Sequence, residues 1–417
     1  MTATSLKRTL GLWQVSVAGI GVILGAGVYA LIGPAAGLAG DALWLAFLVA
    51  GVTAALTAYS YARLGAMRPK ASPEFQYTAL AFGPRIGFVA GWLMLVADMC
   101  AAAAVALGFG GYLAHFAGTP VVLNALVLLA AVGVFAYAGV AESVGLALLL
   151  TAVEAAGLLF VIAVGAPSWA RVDLLAAPAG LGGISAAAAL IFFAYLGFDE
   201  LGNLAEEMRE PARDLPRALS IAMATTTLIY VLVALSATAV VGWRALAASP
   251  APLAVVARRV LGARADALMT AIALAATANT VLLLMISASR SVYGMGAAGV
   301  LPARLARVGG RATPTTATAV VLATAGALVL LGDLREVAML TDAVVLSSFV
   351  LVNASLVWLA ARGRAGGGGA RRTVDLTAGG AAAALCGWLG LHTGWLGLAA
   401  VVVVLIVGLV LRRVSGR

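Results

Sequence analysis

The sequence predicts an all-α polytopic membrane protein of about twelve spans, and three observations predict it. Hydrophobic residues make up 63% of the 417 and charged residues only 10%, more apolar surface than a soluble core of this size needs. Apolar stretches long enough to cross ~30 Å of hydrocarbon recur from one end of the chain to the other. Two of those stretches are interrupted internally, at Gly25-Ala26-Gly27 and at Phe193-Ala194-Tyr195-Leu196-Gly197. Irregular backbone at bilayer depth survives only where it lines a cavity or is buried in protein.

Cutting at the polar breaks places the spans at 11–32, 41–64, 85–113, 121–140, 143–165, 183–204, 217–241, 267–296, 315–332, 337–361, 375–391 and 394–411. The first begins a few residues after Lys7-Arg8 and lacks a small-residue cleavage site, so it reads as a retained helix and not as a signal peptide. With both termini cytoplasmic, the inner loops and helix ends collect 20 of the 26 basic residues, among them Lys7, Arg8, Arg63, Arg311, Arg371 and Arg417. That asymmetry fits the positive-inside rule for an even number of spans in the cytoplasmic membrane. The formal charge of +9 is therefore topological. Dispersed arginines give no continuous stripe for nucleic acid.

Cys100 and Cys386 fall inside spans and read as small buried hydrophobes, with no disulfide expected. His115 and His392 sit at outer helix ends, too separate for a metal site. No metal or cofactor is expected. Residues 253–263, following Pro250-Ala251-Pro252, have the pattern of a short amphipathic helix on the outer face. Arg362-Gly363-Arg364-Ala365 and Gly366 to Gly369 read as a flexible cytoplasmic tether between spans ten and eleven, with no strand before them to make a phosphate loop.

The two interruptions lie five spans apart. Taken alone, Gly21 and Gly25 have the spacing of a helix-packing face. Paired with the second break, they point to an inverted-repeat transporter with its site at the midplane. Opened half-helices expose amide N–H groups at one end and carbonyls at the other, so a zwitterion is gripped without a charged side chain. The corresponding organisation is a first repeat over 1–165, a second over 166–361, a linker over 362–374, and two additional helices over 375–417.

Several stretches together resemble the amino acid–polyamine–organocation permeases over nearly the whole chain. They are Gly19-Ile20-Gly21-Val22-Ile23-Leu24-Gly25-Ala26-Gly27-Val28-Tyr29, Phe192-Phe193-Ala194-Tyr195-Leu196-Gly197-Phe198-Asp199, Glu206-Glu207 with Pro211, Leu215-Pro216-Arg217-Ala218, and Ser289-Arg290-Ser291-Val292-Tyr293-Gly294-Met295 leading to Leu301-Pro302. The resemblance implies a LeuT-like five-plus-five inverted repeat with discontinuous helices 1 and 6. It also implies alternating-access transport of an amino acid or amine. Carried over, Gly25, Ala26 and Gly27 supply the carboxylate cradle, and the carbonyls of Ile23, Phe193, Ala194 and Leu196 accept the ammonium. Phe193 falls at the family's aromatic gate, with core packing as its alternative. Leu284 stands where some members place a second gating aromatic.

Asp98, Glu154, Asp199 and Glu200 are acidic residues inside spans and are functional candidates by default. Asp98 either recognises a cationic side chain or satisfies neighbouring hydroxyl and amide groups. The small residues Ala101 to Ala104 and Gly108 beside it permit either close packing or room for a bulky side chain. Glu154 stands where several proton-coupled relatives carry a lysine. Three readings are open for it: a proton carrier, a fixed hydrogen bond to Ser287 or Ser289, and a sodium site shared with Ser287, Ser289 and span-one carbonyls. Asp199 is structural or proton-sensing, and Glu200 caps or solvates the second half-helix. The function expected is secondary active transport, by proton-coupled symport or exchange. A facilitative uniporter or an amino-acid sensor on the same fold is the alternative. An intramembrane enzyme lacks a catalytic constellation, and a channel would show filter loops or polar rings.

Overall fold

The computed structural model describes residues 10–414 apart from 71, 139–143, 172, 174–175, 298–300, 310–312 and 367. Lys7, Arg8, Arg311 and Arg417, counted above as cytoplasmic, lie outside the described residues. The helices are α1 (Leu12–Ile23), α2 (Gly27–Ala39), α3 (Leu43–Met67), α4 (Pro73–Phe82), α5 (Pro84–Ala117), α6 (Val121–Ala138), α7 (Val144–Gly165), α8 (Gly180–Ile191) and α9 (Glu200–Asn203). There follow α10 (Pro211–Val241), α11 (Trp243–Ala248), α12 (Pro252–Leu261), α13 (Ala263–Ala297), α14 (Thr315–Val329), α15 (Leu334–Ala361), α16 (Gly369–Leu391) and α17 (Gly394–Val414). Among the described residues nine helical stretches are long and apolar enough to cross a membrane, and Leu12–Ile23, Val121–Tyr137 and Thr315–Val329 are shorter apolar helices.

Local chemistry accounts for many boundaries. Pro73, Pro84, Pro211 and Pro252 each occupy a first helical position, where the missing N–H has no partner to lose. The predicted amphipathic segment is α12, which buries Leu253, Ala254, Val256 and Ala257 and turns Arg258 and Arg259 outward. Span eleven starts six residues earlier than predicted, at Gly369. Arg371, Arg372 and Asp375 look like loop residues in sequence, but Arg372 donates to the Ala361 carbonyl and Asp375 is neutralised by a buried arginine.

That arginine corrects a second expectation. Arg63 on α3 forms a bidentate pair with Asp375, Nε to Oδ1 and Nη2 to Oδ2 both at 2.8 Å, and the Tyr59 hydroxyl donates to the same carboxylate at 2.7 Å. Its Nη2 also donates to the carbonyls of Ala365 and Gly366 at 2.9 and 3.3 Å. A guanidinium has five donors and a carboxylate uses only part of them, so the spare donors hold the glycine-rich segment against α3. This part of the tether is clasped rather than loose. Arg63 is 8% exposed and Asp375 fully buried, so Arg63 is an internal structural cation and not merely a topological one.

α5 runs through the middle of the molecule, packed against α13 and α15. Ala101 to Ala104 are buried, and a Cβ on Gly108 would sit 2.7 Å from that of Ala30. The small residues serve close packing. Cys100 and Cys386 are buried, the latter with Sγ 3.4 Å from the Thr57 hydroxyl. His115 faces Asp266 at 2.9 Å, joining the C-terminal end of α5 to the first turn of α13.

Candidate functional site

The first break separates α1 from α2 at Leu24, Gly25 and Ala26. The second is longer. Helix α8 tightens into a 3₁₀ turn over Phe192–Tyr195, Leu196 turns extended with ψ 148°, and Gly197 adopts φ +111° before α9 begins. A side chain at Gly197 is excluded twice, by that φ and by Val22, whose Cγ1 lies 2.7 Å from where its Cβ would be. The interruptions legible in sequence are thus real departures from helix, and the chain brings them together.

Their closest approach is at Gly27, where a Cβ would fall 2.6 Å from the Ala194 Cα. Gly25 differs. It is partly accessible, and a Cβ there would meet only the Thr280 hydroxyl at 3.3 Å and the Val22 carbonyl at 3.4 Å. Within one expected cradle, Gly27 keeps two backbones in contact, whereas Gly25 meets a side-chain hydroxyl and a carbonyl that a small shift can relieve. Gly21 packs on Thr151 of α7, whose Cγ2 lies 2.6 Å from its Cβ position, in keeping with a helix-packing role.

Two hydroxyls escaped the sequence reading. Tyr230 on α10 places its hydroxyl 2.5 Å from the Ile23 carbonyl and 3.0 Å from that of Ala194, spanning the two breaks. Two of the four carbonyls expected to receive an ammonium are therefore engaged by tyrosine. A third, that of Phe193, accepts the Leu196 amide at 3.2 Å. Thr280 on α13 accepts the Ala26 amide at 3.4 Å. The signal available in sequence was a polar residue inside an otherwise apolar span, too common to single out these two.

Phe193 is 7% exposed, and its neighbours Phe192 and Tyr195 are fully buried. Leu284 is half-buried against the same core. Asp199 lies 4% exposed immediately after the second break and accepts the Gly197 amide at 3.0 Å, so it stabilises the opened backbone. Glu200 opens α9 from its first turn, where a carboxylate complements the positive helix end. Asp98 on α5 is partly accessible.

Glu154 on α7 is 3% exposed, and its backbone carbonyl accepts the Tyr29 hydroxyl at 2.6 Å, tying α7 to α2 just beyond the first break. Ser289 is buried and donates to the Met285 carbonyl at 2.6 Å, so its proton is committed within α13 and not to Glu154. Ser287 is partly accessible on the same helix. Asp342 was overlooked, although it interrupts the apolar run 337–361. It is fully buried on α15, with the Phe193 backbone close by, and neither carboxylate oxygen makes a hydrogen bond of ordinary geometry among the described residues. Among the described residues no group of three or more His, Cys, Asp and Glu has a metal-binding arrangement.

Residues 10–415 match the amino acid permease family. An uncharacterized transporter of Mycobacterium tuberculosis is 36% identical over 360 residues, covering 85% of this chain and 81% of the relative. The branched-chain amino acid permease BcaP of Bacillus subtilis is 28% identical over 447 residues, covering 98% and 92%. Cationic amino acid transporter 4 of Mus musculus is 30% identical over 388 residues, covering 85% and 60%. With apolar helices of membrane-spanning length along the chain, these likenesses make it a multi-pass membrane protein. The chain belongs to the amino acid permease family.

Proposed function

We propose that the protein is a secondary active transporter that carries amino acids or related amines by alternating access and draws on a proton gradient. Its twelve spans form a five-plus-five inverted repeat with two further C-terminal helices, and both termini face the cytoplasm. One observation carries this reading: two helix breaks from distant parts of the chain meet, with Gly27 against Ala194 and the Tyr230 hydroxyl between the Ile23 and Ala194 carbonyls. Backbone opened at two places in one apolar bundle is stable only around a site or within protein.

In this reading the amide groups at the start of α2, beside Gly25 and Ala26, receive the substrate carboxylate. The ammonium takes carbonyls of the second break, displacing hydrogen bonds now made by Tyr230 and Leu196. Phe193 and Leu284 gate the site. Asp98 is proposed to face the cavity, where a cationic side chain gains from it and a branched aliphatic one does not. The relatives named above transport both kinds of amino acid, so the panel tested includes both.

Glu154 is the proposed proton carrier. Uptake of labelled amino acids into proteoliposomes under an inward proton gradient tests the reading. Glu154→Gln keeps shape and hydrogen bonding but cannot ionise, so it abolishes uphill uptake and spares exchange at equal pH. Exchange needs only the loaded carrier to reorient, whereas net uptake requires a proton bound on one side and released on the other. A glutamine variant that still concentrates substrate removes Glu154 from coupling. Uptake that ignores pH and follows sodium transfers the role to an oxygen site built from Glu154, Ser287, Ser289 and α1 carbonyls.

A further inference from the structure

Glu74 opens α4, the short helix between the second and third apolar spans, and is 6% exposed. The Tyr61 hydroxyl of α3 donates to its Oε1 at 2.6 Å. Tyr61 is fully buried, and its ring meets those of Tyr77, Phe198 and Phe349 at centroid distances of 5.6, 5.6 and 5.7 Å. Those rings come from α4, from the end of the second break and from α15. Pro73 packs on the far side, where a Cβ on Gly202 of α9 would meet it at 3.3 Å. The carboxyl is therefore walled into the contact between a loop helix and the second half of the broken helix.

The charges that act on it most strongly have one sign. Asp199 and Glu200 on the broken helix act on Glu74, and Asp98 on α5 is within its electrostatic reach. On α3 and on α4 itself, Tyr61 and Tyr77 are the ionisable groups that interact with it most strongly, while Tyr59 and Arg63 of α3 are engaged by Asp375. α15 presents Phe349. The cation nearest in sequence, Lys70, is exposed, and Arg68 is held by Gln76, its Nε donating to Oε1 at 3.1 Å. Burial, followed by the Asp199 charge, pushes the Glu74 carboxyl up to about 8 against the opposing hydrogen bond from Tyr61.

We propose that Glu74 is a proton-binding residue whose protonated form locks α4 beneath the second half of the broken helix and whose ionisation releases it. With the proton bound, the carboxyl is a neutral acceptor for Tyr61 and the ring cluster closes over it. When the proton leaves, a carboxylate stands beside Asp199 in a dry contact, and separation of α4 from α9 relieves both the burial and the repulsion. The direction follows from linkage. The closed contact holds the proton up to about pH 8, whereas an opened, solvated Glu74 loses it near the ordinary value of about 4.3. Between these limits the closed state binds more protons, so rising pH favours opening. The lock itself does not depend on the transporter reading. Its place in the transport cycle, as the point where the proton leaves toward the cytoplasm, rests on the transporter reading above.

Thr78 lies one turn further along α4, is fully buried, and its hydroxyl lacks a hydrogen-bond partner among the described residues. A Thr78→Cys thiol thus reports opening, and Ser72→Cys, at an exposed position, serves as reference. The labelling rate by a methanethiosulfonate reagent is measured on the full protein in detergent without substrate, as the ratio of the two sites. The ratio rises about tenfold or more between about pH 6 and pH 9, one pKa unit being a tenfold change. In the Glu74→Gln background it is flat, which also removes any contribution from the thiol's own titration. Tyr61→Phe, which keeps the rings and removes the hydrogen bond favouring the carboxylate, moves the rise to higher pH, and Asp199→Asn moves it lower. An equal rise in the Glu74→Gln protein, or midpoints unmoved by both Tyr61→Phe and Asp199→Asn, overturns the proposal. Because no substrate is present, failure of the lock leaves the transport assays standing, and failure of transport leaves the lock standing.

Discussion

Two buried carboxyl groups on the same side of the molecule meet opposite fates. Asp375 on α16 is fully enclosed and holds a bidentate arginine, a tyrosine hydroxyl and, through the arginine, two carbonyls of the preceding loop. Glu74 on α4 is also buried and holds one tyrosine hydroxyl, with Asp199 and Glu200 acting on it. The first is charge-matched and joins α3 to α16, away from both helix breaks. The second sits against the broken helix without a compensating cation among the groups acting on it most strongly. Where a carboxylate is paired the fold gains a fixed clasp, and where acids gather at an opened helix the contact depends on protons.

The comparison is easiest to break from the clasp. Arg63→Ala leaves Asp375 buried and unpaired, which lowers stability by about 3 kcal/mol, the low end for a broken buried pair because only a thin loop covers it. Thermal unfolding in detergent reads this loss. Replacing both partners with apolar residues of similar size recovers most of it. Glu74→Gln, by contrast, changes the same melting curve by less than about 1 kcal/mol, since the amide oxygen still accepts from Tyr61. Equal losses in the two variants would remove the distinction between clasp and lock.

A second contrast lies within the first break. Gly27→Val forces a side chain into the Ala194 backbone and costs about 1–3 kcal/mol of stability together with transport. Gly25→Val meets only the Thr280 hydroxyl and the Val22 carbonyl, contacts a small shift relieves, so binding is lost while melting stays near that of the parent protein. Matching melting curves for the two valine variants would show that both glycines play one role. A smaller effect is expected at Tyr230→Phe, where removal of the hydroxyl bridging the Ile23 and Ala194 carbonyls costs about 1 kcal/mol. Two-temperature exchange assays then show faster reorientation if the bridge restrains the breaks.

Local signals made the breaks legible in sequence. Gly25-Ala26-Gly27 and Leu196-Gly197 carry the small residues that close approach and a positive φ demand, and these act within a few residues. The start of α12 and the burial of Cys100, Glu154 and Asp199 were legible for the same reason. What could not be read were partnerships between distant residues. Tyr230 meets Ile23 across 207 positions and Arg63 meets Asp375 across 312, and nothing in either local pattern marks the partner. Arg63 consequently passed for a loop-flanking topological charge. Glu74 was not singled out, because it lies in a short segment between two apolar spans and its burial is a tertiary property. Asp342 was missed for a different reason: one acid inside an apolar run left the span convincing, and the burial that makes it notable is a tertiary property.

Whether the two helix breaks hold the amino acid is tested most directly by counterflow. Proteoliposomes preloaded with unlabelled leucine or arginine are diluted into trace label of the same amino acid at equal pH, with the parent protein and with Gly25→Val. Saturable accumulation in the parent with at least one amino acid of a wider panel, and its loss in a Gly25→Val protein of unchanged melting, is the result the structure predicts. Counterflow that survives Gly25→Val undiminished, or its absence from the parent with every amino acid and amine tried, contradicts a substrate site at the breaks.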